Sequence, residues 1–306
     1  MQSEQIKGRV VLSTGSWYSV IAENGSMIKC RLAGKMRLSE LKQTNPVAVG
    51  DIVYYAENSD GTGTISDVED RTNKITRLAT HGRRGEQILV SNVDYGIVVQ
   101  SFKQPAYKTG FIDRFIVTCE AYEVEPVVLM NKMDLCGSDA ETDKLRELYE
   151  GLGYKFYTSA IDDEASIIRL RDLMKNRTSV FIGPSGVGKT SLLNMIEPGI
   201  EKPIGSISTF SNKGKHTTTF AELIPLSFGG YLVDTPGIRE FGLVNIEPAE
   251  LSLYYPEMLE PRERCRYYNC THVHEPGCAV IEAVENGLIA PSRYASYRQI
   301  VTTLDT

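Results

Sequence analysis

The stretch Ser179-Val-Phe-Ile-Gly183-Pro-Ser-Gly-Val-Gly188-Lys189-Thr190-Ser-Leu-Leu-Asn194 decides how the rest of the chain is read. The apolar residues Val180 to Ile182 predict a buried strand, and Thr190 to Ile196 predict a helix. Between them, Gly183-x-x-x-x-Gly188-Lys189-Thr190 has the spacing of a phosphate-binding loop. Its glycines let the backbone turn with N–H groups facing inward, where they and the helix N-terminus cradle a diphosphate. The candidate binding residues are Gly183, Pro184, Ser185, Gly186, Val187, Gly188, Lys189, Thr190 and Ser191. Lys189 sets a point charge against the β- and γ-phosphates, and the Thr190 hydroxyl is offered to Mg²⁺.

The second informative stretch lies upstream. A buried-strand pattern from Pro126 to Met130 runs into Asn131-Lys132-Met133-Asp134, an Asn-Lys-x-Asp sequence of the guanine-reading kind. A carboxylate at Asp134 accepts from both the ring N–H and the exocyclic amine of guanine. Adenine has no such donor pair and leaves the carboxylate unpaired. Asn131 and Lys132 would brace the loops around the base. Ser159 and Ala160, at the end of the next strand, fit a second loop whose backbone N–H meets the guanine carbonyl. Downstream, Asp234-Thr-Pro-Gly237 follows the strand Tyr231 to Val233; Asp234 would hold Mg²⁺ and the Gly237 N–H would sense the γ-phosphate. The small, polar run Ser211 to Thr219 suits a switch loop, with Thr218 (or Thr217) as a second hydroxyl on Mg²⁺.

The order of these motifs is unusual, because Asn-Lys-x-Asp precedes the phosphate loop. Strand and helix order still fits if an ordinary GTPase is cut after its third strand and its ends are joined, a circular permutation that keeps the packed sheet. Alternating strand and helix patterns from Asp94 onward predict a largely parallel sheet covered by helices. Residues 73–92 read as a polar linker with an exposed basic loop at His81-Gly-Arg-Arg-Gly-Glu86. Residues 1–72 carry five short strand patterns and predict a small closed barrel of the OB type. Lys29, Arg31, Lys35 and Arg37 form a basic patch there and are the candidate RNA-binding residues, with Trp17 as a stacking platform or a core residue.

Near the C-terminus, Cys265, Cys270, His272 and Cys278 fall within fourteen residues. Three thiolates and an imidazole suit a closed tetrahedral Zn²⁺ site of structural type, with His274 as the alternative fourth ligand. Arg262, Arg264 and Arg266 make a basic strip beside it. The fold expected is α/β: a circularly permuted P-loop GTPase domain over 73–240, an N-terminal OB-type β-barrel over 1–72 and a C-terminal helical zinc-binding domain over 241–306.

The 306 residues carry a net charge of −6, so nucleic-acid contact is left to local patches. No apolar run reaches membrane-spanning length and the N-terminus has no signal-peptide pattern. A cytoplasmic protein without membrane partners is expected, with its six cysteines free or metal-bound.

The chain resembles the RsgA family of small ribosomal subunit biogenesis GTPases. The resemblance rests on Asn131-Lys-Met-Asp134, Gly183 to Thr190, Lys215-His-Thr-Thr-Thr219, Asp234-Thr-Pro-Gly237 and the Cys265 to Cys278 segment. It implies a monomeric GTPase that cycles between GTP and GDP, uses Mg²⁺, holds one structural Zn²⁺, and binds the small ribosomal subunit and its rRNA late in maturation. It also implies hydrolysis stimulated by that subunit. Ile238 stands where many GTPases carry a water-orienting glutamine, and an apolar side chain cannot do that work. The resemblance points to His216 of the switch loop as the catalytic residue instead. Two other classes are separable by experiment. A P-loop ATPase or kinase would show no guanine preference, and a binding module with a relic nucleotide site would bind RNA in any nucleotide state.

Overall fold

The computed structural model describes residues 5–34, 46–78, 86–136, 139–198, 200, 221–234 and 246–304. These fall into two compact units. The first holds the described residues up to Tyr95 together with those of 171–181 and 199–240. The second holds 96–170, 182–198 and the described residues from 246 on.

The first unit opens with the barrel. Strands β1 (Ile6–Ser13), β2 (Tyr18–Ala22), β3 (Met27–Leu32), β4 (Ile52–Glu57) and β5 (Gly63–Val68) follow the order β1-β2-β3-β5-β4, and β4 returns to pair with β1. Only the β3–β5 pairing is parallel. Alternation along β2 turns Tyr18, Val20 and Ala22 inward, and Val10, Cys30, Val53, Tyr55 and Ile65 complete the barrel core. These strands coincide with the five read from the sequence, because β-branched alternation and the Asn24-Gly25 turn signal agree locally.

The stretch 73–92 is not a linker. It contains two antiparallel strands, β6 (Lys74–Leu78) and β7 (Glu86–Ser91). Its many polar residues mask the apolar set Ile75, Ile88 and Val90, each under 8% exposed. Asp51 ties this hairpin to the barrel. Fully buried, it accepts from Arg71 Nε and Nη2 at 2.7 Å each, from Ser91 Oγ at 2.6 Å and from the Ala48 N–H at 2.8 Å. A buried carboxylate is tolerated when its lone pairs are matched in this way. The basic loop after His81 lies outside the described residues apart from Glu86, which begins β7. In the same unit, β11 (Thr178–Ile182) pairs in parallel with β13 (Tyr231–Asp234), β13 pairs antiparallel with β12 (Glu222–Pro225), and β12 meets β1 at Leu12–Glu222.

In the second unit, β9 (Glu125–Asn131) lies between β8 (Tyr95–Ser101) and β10 (Lys155–Thr158), and pairs in parallel with β10. β8 is buried along its whole length and β9 along all but its first residue, as near-continuous apolar strands covered by helices should be. The helices are α1 (Thr109–Ala121), α2 (Asp139–Gly151), α3 (Glu164–Met174) and α4 (Lys189–Ile196). The C-terminal segment adds α5 (Pro256–Arg262), α6 (Ala279–Glu285) and α7 (Pro291–Leu304). Its core of Leu251, Tyr255, Met258, Val280, Tyr297 and Ile300 reaches Val117 of α1.

Arg293 of α7 locks that contact. It is fully buried, donates through Nη1 to Asp113 of α1 at 2.7 Å and through Nε to Glu257 of α5 at 2.7 Å, and lies 4.5 Å from the centroid of the Tyr255 ring. Asp113 also accepts from the Tyr149 hydroxyl at 2.9 Å. Removing the guanidinium strands two carboxylates. Arg293→Ala is therefore expected to lower the unfolding free energy by about 3–5 kcal/mol in urea titration, against under about 1 kcal/mol for Lys155→Ala at the exposed pair with Glu125.

Candidate nucleotide site and metal centre

The phosphate loop joins β11 to α4, and its backbone conformation requires glycine at two positions. Gly186 has φ 89° and Gly188, at the N-cap of α4, has φ 90°. A Cβ on Gly188 would stand 2.6 Å from Asn131 Nδ2, and one on Gly183 would stand 2.2 Å from the Val99 carbonyl oxygen. The loop is thus pressed against both β8 and the end of β9. Lys189 Nζ donates to the carbonyls of Gly183 at 2.6 Å and Pro184 at 2.8 Å, so the ammonium sits within the loop's own curve. Thr190 is buried, and Ser191 follows it in the first turn of α4.

Asn131 closes β9 and is buried. Its Nδ2 donates to the Val187 carbonyl of the phosphate loop at 2.9 Å, and its Oδ1 accepts from Ser159 Oγ at 2.8 Å. The Ser159 carbonyl in turn accepts from the Met133 N–H at 3.1 Å, and the Ser159 N–H donates to Met130 at 2.9 Å. One side-chain amide therefore ties three loops together: 183–188, 131–135 and 158–160. Lys132 takes a left-handed backbone, φ 59°, and donates to Gly186 O at 2.6 Å and Gln104 O at 2.7 Å. Asp134 sits on a single 3₁₀ turn, Met133–Leu135, with its side chain exposed, and Ala160 is buried behind Ser159.

Of the other candidates, Asp234 ends β13, opposite Glu222 of β12. His216, Thr217, Thr218 and Gly237 lie outside the described residues, as do Lys35 and Arg37. Lys29 and Arg31 are exposed on β3, with the Arg31 guanidinium 3.8 Å from the centroid of the half-buried Trp17 ring. That stacking is a cation–π contact.

The ligand atoms of Cys265, Cys270, His272 and Cys278 all lie within 4.8 Å of one another. His272 Nδ1 is 3.5 Å from Cys265 Sγ and 3.4 Å from Cys278 Sγ. Its other nitrogen, Nε2, meets Ser252 Oγ at 3.2 Å, so the ring is oriented from behind, as metal-bound imidazoles usually are. Burial, with help from the Arg262 charge, lowers the His272 pKa and favours the neutral ring that a metal requires. Burial pushes the Cys270 thiol up to about 12 and also raises Cys278, so in the absence of a cation both stay protonated. His274 is exposed and outside the cluster. The donor set and its convergence fit a tetrahedral zinc site.

Several contributors carry no motif. Glu275 accepts from Thr271 N and Oγ1 at 2.6 Å each, Val273 N at 3.0 Å and His274 N at 3.1 Å. Burial alone would raise its pKa, but these bonds outweigh that cost and hold it at about 2. The carboxylate thus folds the turn between His272 and Cys278. Ser252 and Gln104 likewise act through one hydroxyl and one backbone carbonyl, which no spacing rule reveals.

The geometry defines a class first: a GTPase whose Asn-Lys-x-Asp strand precedes its phosphate loop, a circular permutation fused to an OB-type barrel. The described relatives agree. The RsgA GTPase model matches residues 68–244 and the RsgA N-terminal domain model matches residues 7–65. The chain belongs to the RsgA GTPase family. It is 43% identical over 295 residues to the small ribosomal subunit biogenesis GTPase RsgA of Bacteroides fragilis strain YCH46, covering 95% of each chain. It is 42% identical over 299 residues to the protein of that name from Flavobacterium johnsoniae, covering 96% of this chain and 92% of the relative. Among solved structures, YjeQ from Thermotoga maritima superposes with a TM-score of 0.81 at 38% identity, over 98% of this chain and 99% of that one. YloQ, described as a circularly permuted GTPase, gives 0.77 at 30% identity, over 99% and 96%.

Proposed function

We propose that this GTPase acts in biogenesis of the small ribosomal subunit, binding the subunit and its rRNA and hydrolysing GTP there. The observation that carries the nucleotide half is the Asn131 amide, bonded at once to the phosphate loop and to the Ser159 loop. Through it the base-reading Asp134 and the phosphate cradle are held in one frame. The subunit half is supported by the relatives' names and by the barrel, which exposes Lys29 and Arg31 on β3, with Arg31 stacked on Trp17.

In this reading Asp134 accepts two hydrogen bonds from guanine, and Lys132 and Asn131 hold the loops around the base. Ser159 and Ala160 present backbone to the guanine carbonyl. The residues from Gly183 to Ser191 wrap the phosphates, with Lys189 turning from its carbonyl partners toward them. Thr190, Thr218 and Asp234 would hold Mg²⁺, which neutralises phosphate charge when bound. Gly237 reports the γ-phosphate, and His216 orients the attacking water in place of the side chain that Ile238 cannot supply. Lys35 and Arg37 extend the rRNA contact of Lys29 and Arg31. Cys265, Cys270, His272 and Cys278 hold one structural zinc ion. The protein works as a monomer in the cytoplasm; among the described residues no helix is long and apolar enough to cross a membrane.

Two measurements test this. GTP hydrolysis by the purified protein should rise at least about tenfold on adding small ribosomal subunits, with ATP inert under both conditions. Equal rates with and without subunits would instead mark a nucleotidase unrelated to the ribosome. Elemental analysis should find one zinc per chain, and its removal by chelation should lower the thermal midpoint by more than about 5 °C. A metal-free protein of unchanged stability would remove the zinc assignment.

A further inference from the structure

The loop between β8 and α1, residues 102–108, contains none of the nucleotide motifs, yet it is fastened at both ends. Ser101 is fully buried and donates its hydroxyl to the Pro105 carbonyl at 2.7 Å. The Phe102 and Tyr107 rings meet edge to face with centroids 5.2 Å apart. The Tyr107 hydroxyl donates to Glu141 of α2 at 3.0 Å. Between these fastenings Gln104 takes a left-handed backbone, φ 56°, which a non-glycine residue adopts only when its surroundings impose it. In that conformation its carbonyl accepts from Lys132 Nζ at 2.7 Å. Lys132 has the same backbone geometry, φ 59°, and its ammonium also donates to Gly186 O at 2.6 Å. Two left-handed residues thus share one hydrogen bond, and one ammonium bridges this loop to the phosphate loop. Pro105 Cδ lies 3.5 Å from where a Cβ on Gly186 would stand, so a side chain at that point of the phosphate loop would rest on Pro105.

We propose that residues 101–107 are a positioning brace for the guanine nucleotide. Ser101 and Tyr107 hold the Gln104 carbonyl in place, the carbonyl pins Lys132, and the pinned Lys132 fixes the base-reading turn against Gly186. Ser101 and Tyr107 touch no substrate; they are positioning residues. The brace rests on the reading of Asp134 and the phosphate loop as the nucleotide site. It acts on the base and on the inner phosphates, which GTP, GDP and the transition state share. Its contribution is therefore uniform binding: losing it raises KM and leaves kcat unchanged. A loop that only helped the chain to fold would do the opposite, lowering apparent kcat through loss of active protein while KM stayed constant.

The test is a kinetic and binding comparison on the full chain. Each hydroxyl contributes the equivalent of one hydrogen bond, so in Ser101→Ala/Tyr107→Phe the Kd for a fluorescent GDP analogue and the KM for GTP should rise together by about 5- to 30-fold. The kcat at saturating GTP should stay at the wild-type value. Tyr107→Phe alone, at a half-buried position that keeps its ring, should give a smaller rise of about 2- to 5-fold in both constants. Unchanged Kd and KM in both variants, or a lower kcat at constant KM, would overturn the brace. Asp134→Asn run in parallel separates the two levels. If it leaves the preference for GDP over ADP intact, the nucleotide-site reading itself fails. If it abolishes that preference while both loop variants bind GDP normally, only the brace fails.

Discussion

A single buried amide, that of Asn131, holds together the candidate nucleotide-binding loops of the second unit. It spends its donor on Val187 of the phosphate loop and its acceptor on Ser159 of the neighbouring loop, both at normal hydrogen-bond lengths. Buried polar groups need such partners, and here the two partners belong to different loops, which the Lys132–Gly186 and Met133–Ser159 bonds tie further. The close approach of Gly188 follows from the same contact, because a Cβ there would collide with the Asn131 amide. The phosphate loop therefore requires glycine at that point for two reasons: its positive φ and the amide beside it.

Circular permutation is compatible with this arrangement because the site depends on strand ends and not on chain order. β9 delivers Asn131 and β10 delivers Ser159, side by side in a parallel ladder. Cutting and rejoining the chain elsewhere leaves that ladder intact. What changes is the neighbourhood of the new termini. The chain now continues from the Asp234 motif into the C-terminal segment, whose helix α7 is pinned to α1 by Arg293 and whose cluster of three cysteines and His272 is backed by Ser252. At the other end, β1 of the barrel pairs with β12 at Leu12–Glu222, where Glu222 is the first residue of that strand.

The fold was largely legible because its strongest signals are local and periodic. The barrel strands alternate, β8 and β9 are short apolar runs, and helix boundaries are punctuated by Gly151, which ends α2, by Gly287, just after α6, and by Pro291, which opens α7. The failure at 73–92 has a specific cause. Its strands are short and largely polar, and Ile75, Ile88 and Val90 register as core only once the hairpin is formed. The motif residues of the candidate site stand out in the sequence because phosphate and guanine chemistry dictates both residue type and spacing. Their supports were not. Arg293, Asp113 and Asp51 look like ordinary surface charges in a sequence, and only tertiary contact shows that each is fully buried and paired. The Gln104 carbonyl acts through backbone geometry, which side-chain identity does not encode, and the Glu275 carboxylate acts on N–H groups that converge only once the turn is folded.

If Asn131 fixes a guanine-reading Asp134 against the phosphate cradle, discrimination between bases is the property most directly tied to the structure. Equilibrium titration of the purified protein with GDP and with ADP measures it without reference to the ribosome. A preference for GDP of at least about 10⁴-fold is expected, the discrimination available to a site whose polar group is left unpaired by the wrong ligand. ADP binding within about tenfold of GDP would contradict the role of Asp134 and the assembly of the site around Asn131.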